Sequence, residues 1–212
     1  MKAIRLSIVM MCAVCLTAPP GAAASTPSRP CSDARSALCG TVAVPVDRAD
    51  PALGTVPIFF RVVRHSGSGP ALEPIVTTEG GPGYAVNENN WQQYRDFVFG
   101  PLRARHDLVF IDQRGAGRSR AIDCPSLQDG VTGDVFAAYS ACASVLGPAA
   151  NDYGSGDVAL DIDAVRAALG IERFDFYGGS YAAVDIQAYA ARFGEHLAAV
   201  VLDSPSKDRQ LR

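Results

Sequence analysis

A serine placed just ahead of a short helix is the residue whose surroundings best suit chemistry. Ser180 lies in the segment FDFYGGSYAA, residues 174–183, which predicts a buried strand, a glycine turn and then a helix. A sharp strand-to-helix turn lifts the serine Oγ above the sheet and leaves the backbone N–H of the next residue, Tyr181, free to face an oxyanion. Such a turn strains the serine backbone and needs small neighbours, which Gly178 and Ala182 provide. The usual pattern G-x-S-x-G ends here in alanine, and a glycine turn beside an ordinary serine is the alternative interpretation.

Two further glycine-rich loops each follow a predicted strand. The sequence EGGPG at 79–83 follows the apolar strand 74–78, and DQRGAGRS at 112–119 follows the buried strand 107–111. Because active sites in open α/β sheets lie at the carboxyl ends of strands, we expect the three loops to meet at one edge. The strict G-x-G-x-x-G spacing follows none of the predicted strands, which makes a dinucleotide-binding protein a distant alternative.

The elements around these loops begin with two strands and then alternate between strand and helix. Segments 41–46 and 55–64 predict an antiparallel pair, and Pro45 places the first of them at an edge. The remaining predicted elements are helices at 90–100, 134–146, 157–169 and 181–193 and strands at 173–177 and 197–202. This order predicts an α/β sandwich with a mostly parallel sheet.

Helix 157–169 has the clearest sequence pattern. Its apolar residues fall on one stripe, at Val158, Ile162, Val165 and Leu169. Asp157 is the predicted N-cap, and Gly170 is the predicted glycine stop.

Composition and the amino terminus indicate an exported protein. The chain has 212 residues and is 48% hydrophobic, which suits one packed domain. Residues 1–24 combine a basic start, an apolar run at 6–16 and a small-residue region, which predicts a signal peptide cut after Ala24. Removing Lys2 and Arg5 takes the 19 basic residues to 17 against 22 acidic ones, a formal net charge of −5. We therefore expect a secreted or cell-envelope domain at 25–212, with no nucleic-acid partner and no stable membrane span.

Four cysteines remain after the predicted leader, at Cys31, Cys39, Cys124 and Cys142. An even number in an oxidising compartment predicts disulfides, and of the three pairings we favour the two local ones, Cys31–Cys39 and Cys124–Cys142. A zinc site is the competing interpretation, but the mature segment has no C-x-x-C and no histidine near these cysteines. We expect neither a metal nor a cofactor.

The three loops together resemble the α/β-hydrolase fold and, more narrowly, the secreted bacterial tripeptidyl-aminopeptidase-like hydrolases, relatives of the prolyl aminopeptidases. The resemblance runs from about residue 39 to 205 and rests on four segments, at 80–83, 112–119, 163–170 and 177–181. It implies that Ser180 is the nucleophile. It also implies an oxyanion hole formed by the backbone N–H groups of Tyr181 and of Gly81 or its neighbour Gly80.

The resemblance also assigns the residues around this site. Loop 112–119 is expected to be structural, with a buried Asp–Arg pair bracing its turn. Glu79 precedes the glycines where many relatives have another residue. We expect an exposed loop acid there, the alternatives being repulsion of an oxyanion or contact with a substrate ammonium.

The catalytic acid and base are not evident. The triad in this fold runs Ser, then Asp or Glu, then His. Asp203, at the carboxyl end of the last strand, is the candidate acid, although a structural role is the alternative. His196 precedes that strand, and His65 and His106 precede the serine at element boundaries, so none is assigned as base. Relatives continue into a cap and last strands, so we expect this chain to be part of a longer protein, a truncated frame or half of a split protein.

The sequence thus predicts an exported serine hydrolase of peptidase or aminopeptidase type that forms an acyl-enzyme on Ser180. Its substrate would be a peptide, or a small ester if the protein is an esterase of the same fold. A non-catalytic remnant that serves as an interaction module is the alternative from another class, and without a base the activity of the chain is in doubt. The oligomeric state is not indicated.

Overall fold

The computed structural model describes residues 24–25, 28–131 and 133–205. Apart from Ala24, the predicted leader lies outside the described residues, as does the polar segment 206–212. Within the described chain, no helix is both long enough and apolar enough to cross a membrane.

A single mixed sheet with helices on its faces forms the fold. The strands are β1 (Ala24–Ser25), β2 (Arg29–Pro30), β3 (Ala37–Pro45), β4 (Thr55–Val63), β5 (Ile75–Thr77), β6 (Leu108–Ile111), β7 (Phe174–Gly179) and β8 (Leu197–Asp203). The α-helices are α1 (Val86–Asn89), α2 (Trp91–Gln93), α3 (Pro125–Gln128), α4 (Val135–Leu146), α5 (Ser155–Ala168) and α6 (Ala182–Phe193). Short 3₁₀ turns lie at Pro51–Leu53, Leu102–Ala104, Gly147–Asn151 and Gly194–His196.

The strand order is β1-β3-β4-β6-β5-β7-β8, with β2 paired to the same edge of β3. β3 and β4 are antiparallel, as predicted, and β6, β5, β7 and β8 are mutually parallel. Five of the eight described strands point in one direction, because β3 runs opposite to β4 and β4 runs opposite to β6. The carboxyl ends of β5, β6, β7 and β8 therefore share one edge, which is the edge where the three loops were expected.

Alternating side chains of the strands form a core on each face of the sheet. In β4, Ile58 and Phe60 point into the cluster under α5 and α6, while Phe59 points into the opposite cluster with Trp91 and Phe110. The predicted stripe of α5 is confirmed, because Val158, Ile162 and Val165 are all buried. β8 differs from the other long strands, since Val200, Val201 and Leu202 are exposed on both of its faces.

Both favoured disulfides are present. Cys31 and Cys39 are bonded with a Cα separation of 5.1 Å, and Cys124 and Cys142 with a separation of 5.3 Å. The second bond attaches α4, which buries only Ala138, to the segment that precedes α3. Because so little of α4 packs on the core, the disulfide is a main tertiary attachment of this helix.

Two details of the predicted helices are wrong. The region predicted as one helix at 90–100 contains the short helix α2 and a π-helical turn at Tyr94–Val98, and Asn90, at φ −127° and ψ −2°, separates α2 from the preceding helix α1. Helix α5 begins at Ser155 with Gly154 as N-cap, so the predicted cap Asp157 lies inside the first turn. Gly170 does end the helix, with a positive φ of 67° that suits glycine.

Candidate active site

Ser180 occupies the sharp turn that the sequence predicts. β7 ends at Gly179 and α6 begins at Ala182, so two residues make the whole connection. Ser180 is exposed and has φ 52°, a left-handed conformation that costs a non-glycine residue about 1–2 kcal/mol. Its N–H donates to the carbonyl of Asp203 at 2.8 Å, which holds the strained residue against the end of β8.

The close passage of strand and helix requires the small residues on either side of Ser180. A Cβ added to Gly178 would lie 2.7 Å from Ile186 Cδ1 and 3.1 Å from Ala182 Cβ. The alanine at 182 is fully buried there, so its methyl group is accommodated where the common pattern has glycine. The turn therefore keeps its shape despite the changed last position.

Loop 79–83 lies directly against the serine turn. A Cβ on Gly80 would be 2.8 Å from the carbonyl oxygen of Gly179, 3.0 Å from Ser180 Cβ and 3.5 Å from the Tyr181 nitrogen. The N–H of Gly80 donates to Glu79 Oε1 at 2.8 Å. Within the described part of the chain, the N–H groups of Gly81 and Tyr181 have no hydrogen-bond partner. Two free donors thus flank the serine, and Gly80 is not one of them.

Glu79 is not the exposed loop acid that the sequence predicts. It is half-buried, and besides Gly80 its carboxylate accepts from Asn90 Nδ2 at 2.6 Å and from the Tyr94 hydroxyl at 3.2 Å. Burial and then the Glu79 charge raise the pKa of Tyr94 well above its usual value, so this hydroxyl stays protonated as a donor. Glu79 therefore fixes the loop to the segment 90–94.

Loop 112–119 is held by a buried Asp–Arg pair, but the aspartate of the pair lies outside the loop. Asp112 is not the partner of Arg114, because its carboxylate accepts from the backbone and side-chain nitrogens of Asn87 at 3.0 and 3.1 Å. The Arg114 guanidinium instead forms a two-pronged ion pair with Asp161 on α5, at 2.6 and 2.8 Å. Ser119 completes the bracing, since its hydroxyl bonds the carbonyl of Asp112 and the N–H of Phe59.

Asp185 and Gln113 are site residues that our sequence reasoning missed. Asp185 lies in the first turn of α6 and is fully buried, with one oxygen, Oδ2, accepting from Gln113 Nε2 and the other, Oδ1, without a hydrogen-bond partner. Burial raises the pKa of this carboxyl to about 6, and the side chains of Ser155 and Gln113 oppose the shift. The signal in the sequence is an acid three residues after Ala182 and four before Tyr189, on the buried face of the helix.

Asp203 reaches the site through its backbone. Its carbonyl accepts from Ser180 N–H, as described above, while its exposed carboxylate accepts from the Tyr177 hydroxyl at 2.7 Å and from the Ser204 hydroxyl at 3.1 Å. These hydrogen bonds, that from Tyr177 first, lower the pKa of Asp203, so the group is ionised at neutral pH.

The three histidines of the sequence all lie at the opposite edge of the sheet. His196 immediately precedes β8 and bonds the carbonyl of Glu172. His106 precedes β6 and bonds the carbonyl of Glu73, and His65 follows the antiparallel β4 and contacts Asp107 at 2.8 Å. All three imidazoles therefore lie away from Ser180, at the edge opposite the serine turn.

Comparisons with known proteins identify relatives of the chain. The family model described as alpha/beta hydrolase fold matches residues 73–211. The chain is 31% identical over 189 residues to the serine protease Hip1 of Mycobacterium tuberculosis, covering 79% of this chain and 35% of that protein. It is 26% identical to the tripeptidyl aminopeptidase of Streptomyces lividans, covering 81% of this chain and 36% of that protein.

A further relative and one solved structure also match the chain. A proline iminopeptidase of Neisseria meningitidis is 31% identical over 129 residues, which cover 61% of this chain and 31% of the relative. The crystal structure of a proline iminopeptidase from Mycobacterium smegmatis superposes with a TM-score of 0.49 at 19% identity, covering 76% of this chain and 42% of that one. The chain thus spans about a third of the length of the curated relatives it matches.

Proposed function

The chain belongs to the α/β-hydrolase family, and from this premise we propose that it acts as an exported serine hydrolase of the peptidase type, with Ser180 as nucleophile. The observation that carries the proposal is an exposed, strained serine flanked by two backbone N–H groups that have no partner among the described residues. Its relatives named as peptidases favour a peptide substrate, and the composition of residues 1–24 favours export.

The proposed reaction is acyl transfer through Ser180. The hydroxyl oxygen attacks the carbonyl carbon of the scissile bond, and its proton passes to a base. The carbonyl oxygen gains the negative charge and is stabilised by the N–H groups of Gly81 and Tyr181. Collapse of this intermediate expels the leaving amine, which takes up the proton, and leaves an ester on Ser180 that water then hydrolyses.

Asp203 is the proposed acid of the triad. Its carboxylate is ionised and exposed beside the turn, and its backbone is bonded to Ser180. In this fold the histidine base follows the acid along the chain. None of the three histidines in the described chain lies near Ser180, so the base would have to come from elsewhere.

That same observation favours a second candidate function, a non-catalytic binding module that keeps the hydrolase fold. Without a base, nucleophilic catalysis by a serine loses most of its rate advantage, and only the smaller contribution of an oxyanion hole remains. The module would still present an exposed serine turn, although it would turn over no substrate.

A fluorophosphonate probe separates the two functions. We expect the full chain and a Ser144→Ala variant, which lacks an exposed serine on α4, to be labelled, and a Ser180→Ala variant to remain unlabelled. Labelling that is equal in all three proteins, or absent from all three, would reject the hydrolase proposal in favour of the binding module. The rates at which the untreated full chain hydrolyses tripeptidyl anilides and p-nitrophenyl esters then test the peptidase assignment against an esterase.

A further inference from the structure

We propose that the buried carboxylate of Asp185 is a positioning group that holds together the two loops that carry the oxyanion donors. The inference rests on the proposed function of Ser180, since it concerns the geometry of that site. Asp185 acts through Gln113, and it lies on α6, the helix that begins directly after Tyr181.

Gln113 connects Asp185 to the loop that carries Gly81. Its side-chain nitrogen donates to Asp185 Oδ2 and also lies 3.4 Å from the carbonyl oxygen of Glu79. Glu79 is the residue before the glycines, so this carbonyl sits at the root of the donor loop. A single amide group therefore links the serine helix to the oxyanion loop.

The bridge is stiff because Gln113 lies between two anchored residues. On one side, Asp112 is bonded to Asn87. On the other side, Arg114 is paired with Asp161 and also bonds the carbonyls of Val46 and Asp152 at 2.8 and 2.6 Å. A shift in the contact between Asp185 and Gln113 is consequently transmitted to the loop and not absorbed by the bridge.

The second donor residue is joined to Asp185 by the chain itself. Tyr181 carries the other free N–H and lies directly before α6, the helix whose first turn contains Asp185. Through the side-chain amide of Gln113, the buried carboxyl thus joins the helix that follows one donor residue to the loop that carries the other.

The strength of these links depends on the charge of Asp185. A hydrogen bond to an ionised carboxylate is roughly twice as strong as one to a neutral group. The charged groups on the elements around Asp185 are Glu79 after β5, Asp112, Arg114 and Arg118 on loop 112–119, Asp157, Asp161, Asp163 and Arg166 on α5, and Arg192 on α6. None of them contributes to its pKa, which is set by burial, Ser155 and Gln113. The hold on the loops is therefore expected to weaken as the pH falls through about 6.

Hydrogen–deuterium exchange measured on the full chain tests this without requiring activity. In the unsubstituted protein, protection of the peptides covering 79–83 and 180–183, corrected for intrinsic exchange, should be about fivefold higher at pH 7.5 than at pH 5, which corresponds to the difference between a hydrogen bond to a charged acceptor and one to a neutral acceptor. In Asp185→Asn the same peptides should show no such change. Gln113→Leu, which keeps the carboxyl but removes the bridge, should lose the change at 79–83.

Asp175→Asn is the matched control. Asp175 is another acid whose pKa is raised, but it is only partly buried and lies at the far end of β7 from Ser180. It should retain the pH dependence of the unsubstituted protein. A protection change that persists in Asp185→Asn, or that is lost equally in Asp175→Asn, would overturn the proposal. Protection that falls as the pH rises would also overturn the proposal. It would mean that ionisation of Asp185 favours the open loops, in which water reaches the carboxylate.

The rate of fluorophosphonate labelling adds a readout at the serine itself. The ratio of the labelling rate of the unsubstituted protein to that of Asp185→Asn should rise about fivefold from pH 5 to pH 7.5. Taking the ratio cancels the titration of any base common to both proteins. If neither protein is labelled, the proposed function fails, while the exchange experiment still decides whether Asp185 positions the loops.

Discussion

Replacing Asp185 by asparagine should make the protein more stable at neutral pH. The carboxyl is fully buried, and no cation pairs with it among the described residues. Burial raises its pKa from 3.8 to about 6, so the folded state binds this proton more tightly than the unfolded state. Between pH 4 and pH 6 the stability contributed by the protonated group is therefore lost as the pH rises.

The size of the effect follows from the shift. The pKa rises by roughly two units at 1.36 kcal/mol each, which makes the penalty at pH 7.5 about 3 kcal/mol. Asparagine has the shape of the protonated form and carries no charge at any pH. Its amide oxygen can accept from Gln113, and its amide nitrogen can donate towards Ser155, so the variant should escape the penalty at little cost in hydrogen bonds.

Urea unfolding of both proteins at pH 4 and pH 7.5 measures this directly. The free energies of unfolding should be nearly equal at pH 4, and the variant should exceed the unsubstituted protein by about 3 kcal/mol at pH 7.5. Glu195→Gln, which removes an exposed acid, controls for the loss of one negative charge. A difference between the two proteins that does not change with pH, or a variant that is less stable at pH 7.5, would refute the reasoning.

Two further substitutions, each with its own control variant, test the packing and the ion pairing around the site. Gly80→Ala places a methyl group 2.8 Å from the Gly179 carbonyl oxygen, so it should destabilise the protein by about 1–3 kcal/mol and slow labelling of Ser180 on the order of a hundredfold. Gly154→Ala, whose Cβ would meet no atom within 4 Å, should change stability by less than about 0.5 kcal/mol in the same assays. Arg114→Met leaves Asp161 with Arg48 alone, so urea unfolding should show a loss of about 3 kcal/mol. Arg48→Met, which removes a partly exposed partner of the same acid, should cost about 1 kcal/mol, and equal losses from the two arginine variants would contradict the assigned pairing.

The parts of the fold that the sequence predicts are those fixed by local patterns. The buried strands and the stripe of α5 follow from the alternation and helical spacing of apolar residues, and the turn at Ser180 follows from glycines that its backbone geometry demands. The meeting of loops 79–83 and 178–182 also follows, because parallel strands bring their carboxyl ends together.

Contacts between residues far apart in sequence could not be predicted in the same way. Arg114 and Asp161 are separated by 47 positions. The sequence alone does not show which of its aspartates the Arg114 guanidinium pairs with. The side chain of Asn90, which separates α1 from α2, likewise donates to Glu79, 11 positions earlier in the chain. Asp185 was missed because an acid on a helix is usually solvent-exposed, and only the packing of α6 on the sheet makes this one buried.

Glu79 shows how one such contact changes the chemistry assigned to the site. The sequence left Gly80 and Gly81 as alternative oxyanion donors and gave Glu79 no role beyond an exposed acid. In the structure the Glu79 carboxylate accepts the Gly80 N–H, and an ionised acceptor holds that donor more strongly than a neutral carbonyl oxygen would. The N–H of Gly81, one residue further along and at φ 47°, has no partner among the described residues and is the donor in the proposed oxyanion hole. Under the proposed function the acid therefore decides which of the two N–H groups remains available, and its own carboxylate is held by its loop and by the segment 90–94.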